Sequence, residues 1–405
     1  MEVFLGVDWA EDHHDLHLQD ADGKQVAARR IEDGLAGVQE LHALVAEHAS
    51  SPEEVMVGIE TDHSLLATAL IGAGYRVYAV NPLAVSRYRD RHHVSRAKSD
   101  KSDAKLLADL VRTDRHNHRL AVADSELLEA IKVLARGHQN LIWTRQRLTN
   151  QLRSALRDYF PGALAAFDDL DHPDTLAVLA IAPTPIQARR LSRSQIAAAL
   201  KRGGRRRYLQ TRATEIQTAL REPQLAAAPL VEDAYGATVA AQARLIAGLN
   251  DQITAVEASL SERFNQHPDA ELLLRLPGLG VVLAARVLAE FGDAPNRYAD
   301  AKARRNYAGT APITRASGTS EVVVARLIRN RRLFDACYQW AFCALNASPG
   351  ARAYYDAHDP GPKSGKTARR KLANKLVGIL HGTLTHQQPY NPDLAWAHWP
   401  TADAA

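Results

Sequence analysis

Short apolar runs alternate with amphipathic stretches over the first 120 residues of the chain. The runs Val3–Val7 and Val55–Ile59 are continuous, as in strands that are buried on both faces. Residues 15–26 have the pattern of a hairpin whose turn is Asp22-Gly23. The same region contains a further apolar run from Tyr75 and two helical patterns, near 37–48 and 64–73. This order predicts an α/β domain with a mixed sheet.

Two longer helical patterns follow, over 125–160 and about 235–265. In the first, Leu134, Leu141 and Leu148 recur every seven residues, and the second has apolar residues at three- and four-residue steps. Such helices predict an antiparallel arm or a coiled coil that joins subunits, although a bundle inside one subunit fits as well. The predicted divisions are an N-terminal domain 1–120, a helical region 121–267, a mostly helical domain 268–390 and a loose tail 391–405.

The C-terminal region combines a tight turn with clustered arginines. Pro277–Gly280 lies between two apolar helical faces, a helix-hairpin-helix pattern whose backbone amides can face a phosphate. We therefore expect Gly278 and Gly280 to contact nucleic acid. Further contacts are expected from a basic helix with Arg326 and Arg329, and from Arg369 and Arg370 near the start of the last helix.

Composition agrees with a nucleic-acid partner. The 405 residues carry a net charge of +4 and a pI of about 9.0, and the basic residues are clustered. Cys337 and Cys343 lie in an apolar segment without metal-site spacing, so we expect core residues of a protein in a reducing compartment. Without a signal peptide or an apolar run of about 18 residues, the chain is expected to be cytoplasmic, with no membrane partner.

Four acidic residues are the main candidates for chemistry. Asp8 and Glu60 end the two apolar runs, and Asp100 and Asp103 lie three apart at a helix start, so they can share one face. A single such Asp is more often a solvated strand end, or an acid favoured by the helix dipole. All four in this order indicate an RNase H-like domain in which clustered carboxylates bind Mg²⁺ for phosphodiester chemistry. The interleaved Lys98 and Lys101 are expected to contact nucleic acid.

These motifs resemble those of the IS110 family, the DEDD transposases of bacterial insertion sequences. The resemblance covers both ends of the chain, whereas residues 160–235 match only in helical character. It is carried by Gly6–Trp9, Gly58–Thr61, Val80–Pro82 and Lys98–Ala104 near the N-terminus, and by Leu276–Gly280, Gly309–Pro312, Ser317-Gly318 and Asn374–His381 near the C-terminus.

The resemblance implies a RuvC-like N-terminal domain, a coiled-coil arm and a C-terminal domain with a nucleophilic serine, Ser317. Family members cut and rejoin DNA as site-specific recombinases, and some use a structured non-coding guide RNA that the element encodes. It also implies a homo-oligomer, a dimer or a tetramer in which subunits share a site. The alternatives are a DNA invertase, a Holliday-junction nuclease acting through metal-bound water, and a non-catalytic nucleic-acid-binding protein.

Overall fold

The computed structural model describes residues 2–60, 64–92, 100–358, 361 and 365–397, without the side chains of residues 92, 100 and 101. The chain forms two compact units, Met1–Ser125 and Glu126–Ala405. We call them the N-terminal and the C-terminal unit. The expected boundary between a helical region and a separate C-terminal domain remains a prediction. No helix in the described part of the chain is long and apolar enough to cross a membrane.

The N-terminal unit is built on one six-stranded mixed sheet. Its strands have the spatial order β3-β2-β1-β4-β5-β6, in which β1 to β3 are antiparallel and β4 and β5 run parallel to β1. This arrangement is consistent with the predicted RNase H-like domain. The elements are β1 (Val3–Trp9), β2 (His13–Gln19), β3 (Gln25–Glu32), α1 (Leu35–Ala46), β4 (Val55–Ile59), α2 (Leu65–Gly72), β5 (Arg76–Ala79), α3 (Pro82–His92), α4 (Asp100–Asp114) and β6 (Arg119–Leu120).

Helix α4 lies directly on the two central strands because glycines make room for it. A Cβ atom on Gly6 of β1 would lie 1.8 Å from the carbonyl oxygen of Ala104 in α4. On Gly58 of β4 it would lie 2.6 Å from the oxygen of Leu107. Backbone therefore packs on backbone here. The start of α4 is thereby brought to the ends of β1 and β4, where the candidate acids lie.

In its described residues the C-terminal unit is helical apart from one hairpin. Its elements are α5 (Glu126–Tyr159), α6 (Pro161–Ala166), α7 (Pro173–Ile181), α8 (Pro185–Arg190), α9 (Arg193–Arg202), α10 (Leu209–Arg221), α11 (Pro229–Phe264), α12 (Ala270–Leu274), α13 (Val281–Phe291), α14 (Ala301–Tyr307), β7 (Ile313–Ser317), β8 (Ser320–Val324), α15 (Arg331–Ala347), α16 (Pro349–Asp356), α17 (Gly365–His386) and α18 (Pro392–Ala395).

The two long helices α5 and α11 pack antiparallel within one chain. The ring of Tyr159 stacks on that of Tyr235 at 4.8 Å, and Arg145 donates a hydrogen bond of 2.9 Å to Asn250. Both helices contribute to two hydrophobic cores, one at each end of the pair, so they join the halves of the unit. Helix α11 begins at Pro229, earlier than the apolar pattern predicts, because proline suits the first helical position.

Two sequence predictions differ from the observed elements. Arg326 and Arg329 lie in the loop before α15, because Asn330 caps that helix with its side chain and so sets its start at Arg331. The segment from 391 begins as folded structure and not as a loose tail. Trp396 is only 5% exposed, packs over Gly350 and donates a hydrogen bond of 2.7 Å to the Tyr390 hydroxyl.

Candidate active site

Three of the four predicted acids line one cavity. Asp8, Glu60 and Asp103 surround a space of about 460 Å³ at the ends of β1 and β4, beside α3 and α4. Asp8 lies two residues after Gly6 and Glu60 two residues after Gly58, so both continue the strand face on which α4 rests. The fourth acid, Asp100, is the first residue of α4, and its side chain lies outside the described part of the structure.

Asp103 already has a cationic partner in this cavity. Its carboxylate is 6% exposed and accepts a 2.5 Å hydrogen bond from Arg89 of α3, which also lines the cavity. Among the described residues, no three His, Cys, Asp or Glu side chains are close enough together to hold a metal ion. The carboxylates supply the hard oxygen donors that Mg²⁺ prefers. The Asp100 side chain lies outside these described residues.

A fifth acid, Asp15, lines the cavity, and the sequence analysis did not identify it. Asp15 of β2 is the cross-strand partner of Asp8, is 3% exposed and lines the same space. Arg30 of β3 holds it with two hydrogen bonds, of 3.2 and 2.6 Å. Sequence analysis placed Asp15 in a hairpin, but the register of that hairpin against β1 decides which residue faces Asp8. Alternation alone does not fix that register.

Ser317 lies in the C-terminal unit, whereas the acids belong to the N-terminal one. It is the last residue of β7 and pairs with Ser320, the first residue of β8. The two-residue turn begins with Gly318 at a φ of +58°, as a type II′ turn requires. Apart from Ile313 and Val324, every residue of the two strands is exposed. The serine hydroxyl is thus presented at the tip of an exposed hairpin.

Comparison with known proteins identifies the family. Residues 5–161 match a DEDD transposase model of the IS110 type, and residues 270–356 match the transposases of the IS116/IS110/IS902 family. The chain is 45% identical, over 98% of its own length and 97% of the relative's, to a protein of Streptomyces coelicolor named as a candidate mini-circle transposase for IS117. The chain belongs to the IS110 family of transposases.

More distant relatives also match along the whole chain. The 43.6 kDa protein of insertion element IS110 from Streptomyces coelicolor is 29% identical over 94% of each chain. The 42 kDa protein of IS900 from Mycobacterium paratuberculosis is 28% identical over 96% of this chain and 97% of its own. The protein is therefore an enzyme of insertion-sequence transposition that acts on DNA. A DEDD transposase domain usually implies the use of a divalent metal.

The predicted arginines of the transposase meet aromatic rings on the surface of α15. The guanidinium of Arg329 lies 3.4 Å from the centre of the Phe334 ring, which stacks on Tyr338 at 5.8 Å. Arg369 of α17 lies 4.9 Å from the Tyr338 ring and 4.8 Å from that of Phe342. We call these five residues the arginine–aromatic ladder. Stacked aromatic and guanidinium planes suit contacts with nucleic-acid bases and backbone.

Two further predicted arginines adjoin the ladder. Arg326 donates a hydrogen bond of 3.2 Å to Asn306, and its carbonyl oxygen accepts one from Arg329. Burial lowers the pKa of Arg329, and the nearby positive charge of Arg370 lowers it further. The spacing of Phe334, Tyr338 and Phe342 at four-residue steps is visible in the sequence, but such a stripe also fits a helix core.

The predicted helix-hairpin-helix glycines differ in their surroundings. A Cβ atom on Gly278, whose φ is +77°, would lie 2.5 Å from the backbone nitrogen of Ala344 in α15, so packing requires glycine. The indole of Trp340 holds the same turn with a hydrogen bond of 2.8 Å to the Pro277 carbonyl. Gly280 is exposed and faces open space at the start of α13. Phosphate contact here remains a prediction.

Lys98 lies outside the described residues, as does the Lys101 side chain.

Proposed function

We propose that this transposase cuts and rejoins DNA through a covalent phosphoserine intermediate, with Mg²⁺ bound by the acidic cavity. The observation that carries the proposal is the common cavity of Asp8, Glu60 and Asp103, which come from three separate parts of the chain. Together with Asp100, their carboxylates would hold the metal. Bound Mg²⁺ supplies positive charge that polarises a phosphate oxygen and offsets charge in the transition state.

The protein side chains have separate roles in the proposed reaction. Arg89 lines the cavity and neutralises Asp103, so it can also turn towards a phosphate that enters. Ser317 attacks the phosphorus atom through its hydroxyl oxygen while the bond to the leaving sugar oxygen breaks. The serine proton passes to a base, and the leaving oxygen takes up a proton. The reverse reaction at a new strand end rejoins DNA and restores the serine.

The exposed serine hairpin supports a site that is shared between subunits of a homo-oligomer. We propose that two or more copies assemble on DNA and that a structured RNA encoded by the element guides the choice of target. The arginine–aromatic ladder is the surface that we assign to nucleic-acid contact in the C-terminal unit. Its arginines offer charge to phosphates, and its ring planes offer stacking to bases.

Isosteric variants of the acids test the proposal. Asp8→Asn and Glu60→Gln keep the size of each side chain but remove its charge. We expect DNA cleavage in Mg²⁺ to fall by roughly 10²–10³-fold while DNA binding survives, because only stabilisation of the transition state is lost. The measurement is single-turnover cleavage of a labelled DNA that carries the ends of the element, with Mg²⁺ titrated from zero.

Asp22→Asn is the matched control because Asp22 is an exposed acid in the turn between β2 and β3, outside the cavity. It should cleave at the wild-type rate. Full activity of Asp8→Asn would overturn the acidic site, and cleavage that persists in EDTA would overturn the metal requirement.

A further inference from the structure

A second cavity, of about 430 Å³, lies beside the acidic cavity and shares Asp15 with it. It is formed by β2, β3 and α4. Three basic residues line it, Arg29, Arg30 and Lys105, but the Arg29 side chain lies on the other face of β3, where it pairs with Glu40 of α1. Asp15 is the one acid among the lining residues. The two neighbouring cavities therefore have opposite charge: acids line the first and bases predominate in the second.

Strand register explains why the two cavities adjoin. Asp15 and His17 of β2 are the cross-strand partners of Asp8 and Gly6 in β1, so they lie on the face that α4 covers. Arg30 is the next residue in the same row, opposite Asp15 on β3. This row of side chains is acidic at Asp8 on β1 and Asp15 on β2, and it becomes basic at Arg30 on β3. Strand β3 is an edge strand of the sheet.

His17 gives this second cavity a feature that a solvated surface does not explain. It lines the cavity and is 5% exposed, and its Nε2 atom has no hydrogen-bond partner among the described residues. Burial lowers the pKa of His17, and the Lys105 ammonium lowers it further, although Asp109 acts in the opposite direction. Both effects favour the neutral ring, whose Nε2 atom can donate a hydrogen to an oxygen that enters the cavity.

The cations are held in place but remain accessible. Arg30 pairs with Asp15 at 2.6 Å, and Lys105 pairs at 2.6 Å with Asp109, an acid that does not line the cavity. The Arg30 and Lys105 side chains are each 50% exposed. A guanidinium group, an ammonium group and a buried imidazole donor around one space match the oxygen acceptors of a phosphate.

We propose that the second cavity binds a backbone phosphate of the DNA strand, next to the phosphate that is cut at the acidic cavity. The inference rests on the proposed function, because it takes the acidic cavity as the place of cleavage. Asp15 lies between the two phosphates, and its hydrogen bonds with Arg30 position that basic side chain in the second cavity. The cavity then fixes the register of the strand, so that a particular phosphate faces the acids.

The double variant Arg30→Gln/Lys105→Gln tests this assignment. We expect its affinity for a single-stranded DNA of the element end to fall about tenfold at low salt. The slope of log affinity against log salt should decrease by about 0.7, the value for one lost phosphate contact on a single strand. Binding is measured without Mg²⁺ to prevent cleavage. The matched control is Lys24→Gln/Arg76→Gln, which removes the same charge from exposed positions outside the cavity.

Neutral methylphosphonates, placed at one position at a time along the DNA strand, locate the contact on the wild-type protein. One position next to the mapped cleavage site should weaken wild-type binding and have no further effect on the double variant. An equal salt slope in variant and control would overturn the proposal, as would equal sensitivity at all positions. A slope change seen with RNA of the same sequence and not with DNA would overturn it too. Inactive Asp8→Asn with an unchanged salt slope would leave the proposed function intact and refute the phosphate site alone.

Discussion

Asp103 is 6% exposed and is held by Arg89 inside a cavity, whereas Ser317 stands on a hairpin whose strands are almost wholly exposed. The position of the acids follows from the packing of α4 on β1 and β4. The position of the serine follows only from a two-strand ladder and its turn. Packing therefore fixes the acids that the structure describes within their own unit, while the exposed strands give the serine little packing to fix its position.

Among these variants, loss of the serine hydroxyl is expected to have the largest effect on the reaction. Ser317→Ala should abolish the covalent protein–DNA adduct, because it removes the hydroxyl oxygen that we propose to attack the phosphorus atom. Ser320→Ala is the matched control, since Ser320 is its cross-strand partner at the same exposed tip. The measurement is an adduct that survives denaturation on a gel, formed on labelled DNA in Mg²⁺.

The result also separates the reaction classes. An adduct that persists in Ser317→Ala, or that disappears in both variants, would contradict the role of Ser317. Cleavage by the wild-type enzyme without any adduct would instead favour a nuclease that acts through metal-bound water.

Sequence patterns predict most of the N-terminal unit because its signals are local. The runs that end at Asp8 and Glu60 are continuous apolar strands, and α2 begins after Ser64, close to the predicted helical pattern. The part that sequence reasoning missed depends on register between distant segments. Asp15 reaches the acidic cavity through its pairing with Asp8, and no pattern within β2 distinguishes this register from a shift by two residues.

The C-terminal unit was less predictable for a different reason. The Gly318-Thr319 turn is flanked mainly by polar residues, and both strands are exposed and lack the alternation of a half-buried strand. Arg326 and Arg329 follow β8 within a basic stretch that resembles a helix, and only the cap at Asn330 marks the true start of α15. Contacts of the ladder depend on tertiary packing between α15 and α17.

An added methyl group at the sheet tests whether packing positions the acids. In Gly6→Ala the new Cβ would lie 1.8 Å from the Ala104 backbone, so α4 must move away. We expect a loss of about 3 kcal/mol in the free energy of unfolding, at the upper end for overpacked cores. The melting temperature should fall by roughly 10 °C. The cleavage rate should fall by more than the loss of folded protein explains, since Asp103 moves with α4.

Gly72→Ala controls for the change of residue type, because Gly72 ends α2 with open space around it. It should leave the melting temperature unchanged or raise it slightly. If Gly6→Ala melts like the wild type and cleaves normally, the close packing of α4 does not position the acids.

The smallest effect is expected at the turn that carries the serine. Gly318 has a φ of +58° with nothing near its Cβ position, so a substitution there meets strain but no clash. Alanine in this region costs about 1–2 kcal/mol, whereas asparagine tolerates it better. We therefore expect Gly318→Ala to slow adduct formation by roughly tenfold and Gly318→Asn to slow it less, since the free energy of turn formation enters the rate.

Neither variant should shift the melting temperature as Gly6→Ala does, because both strands of the hairpin are exposed. Equal rates for Ala and Asn would mean that turn conformation does not limit attack, and the serine would then owe its position to the DNA or to a second subunit alone.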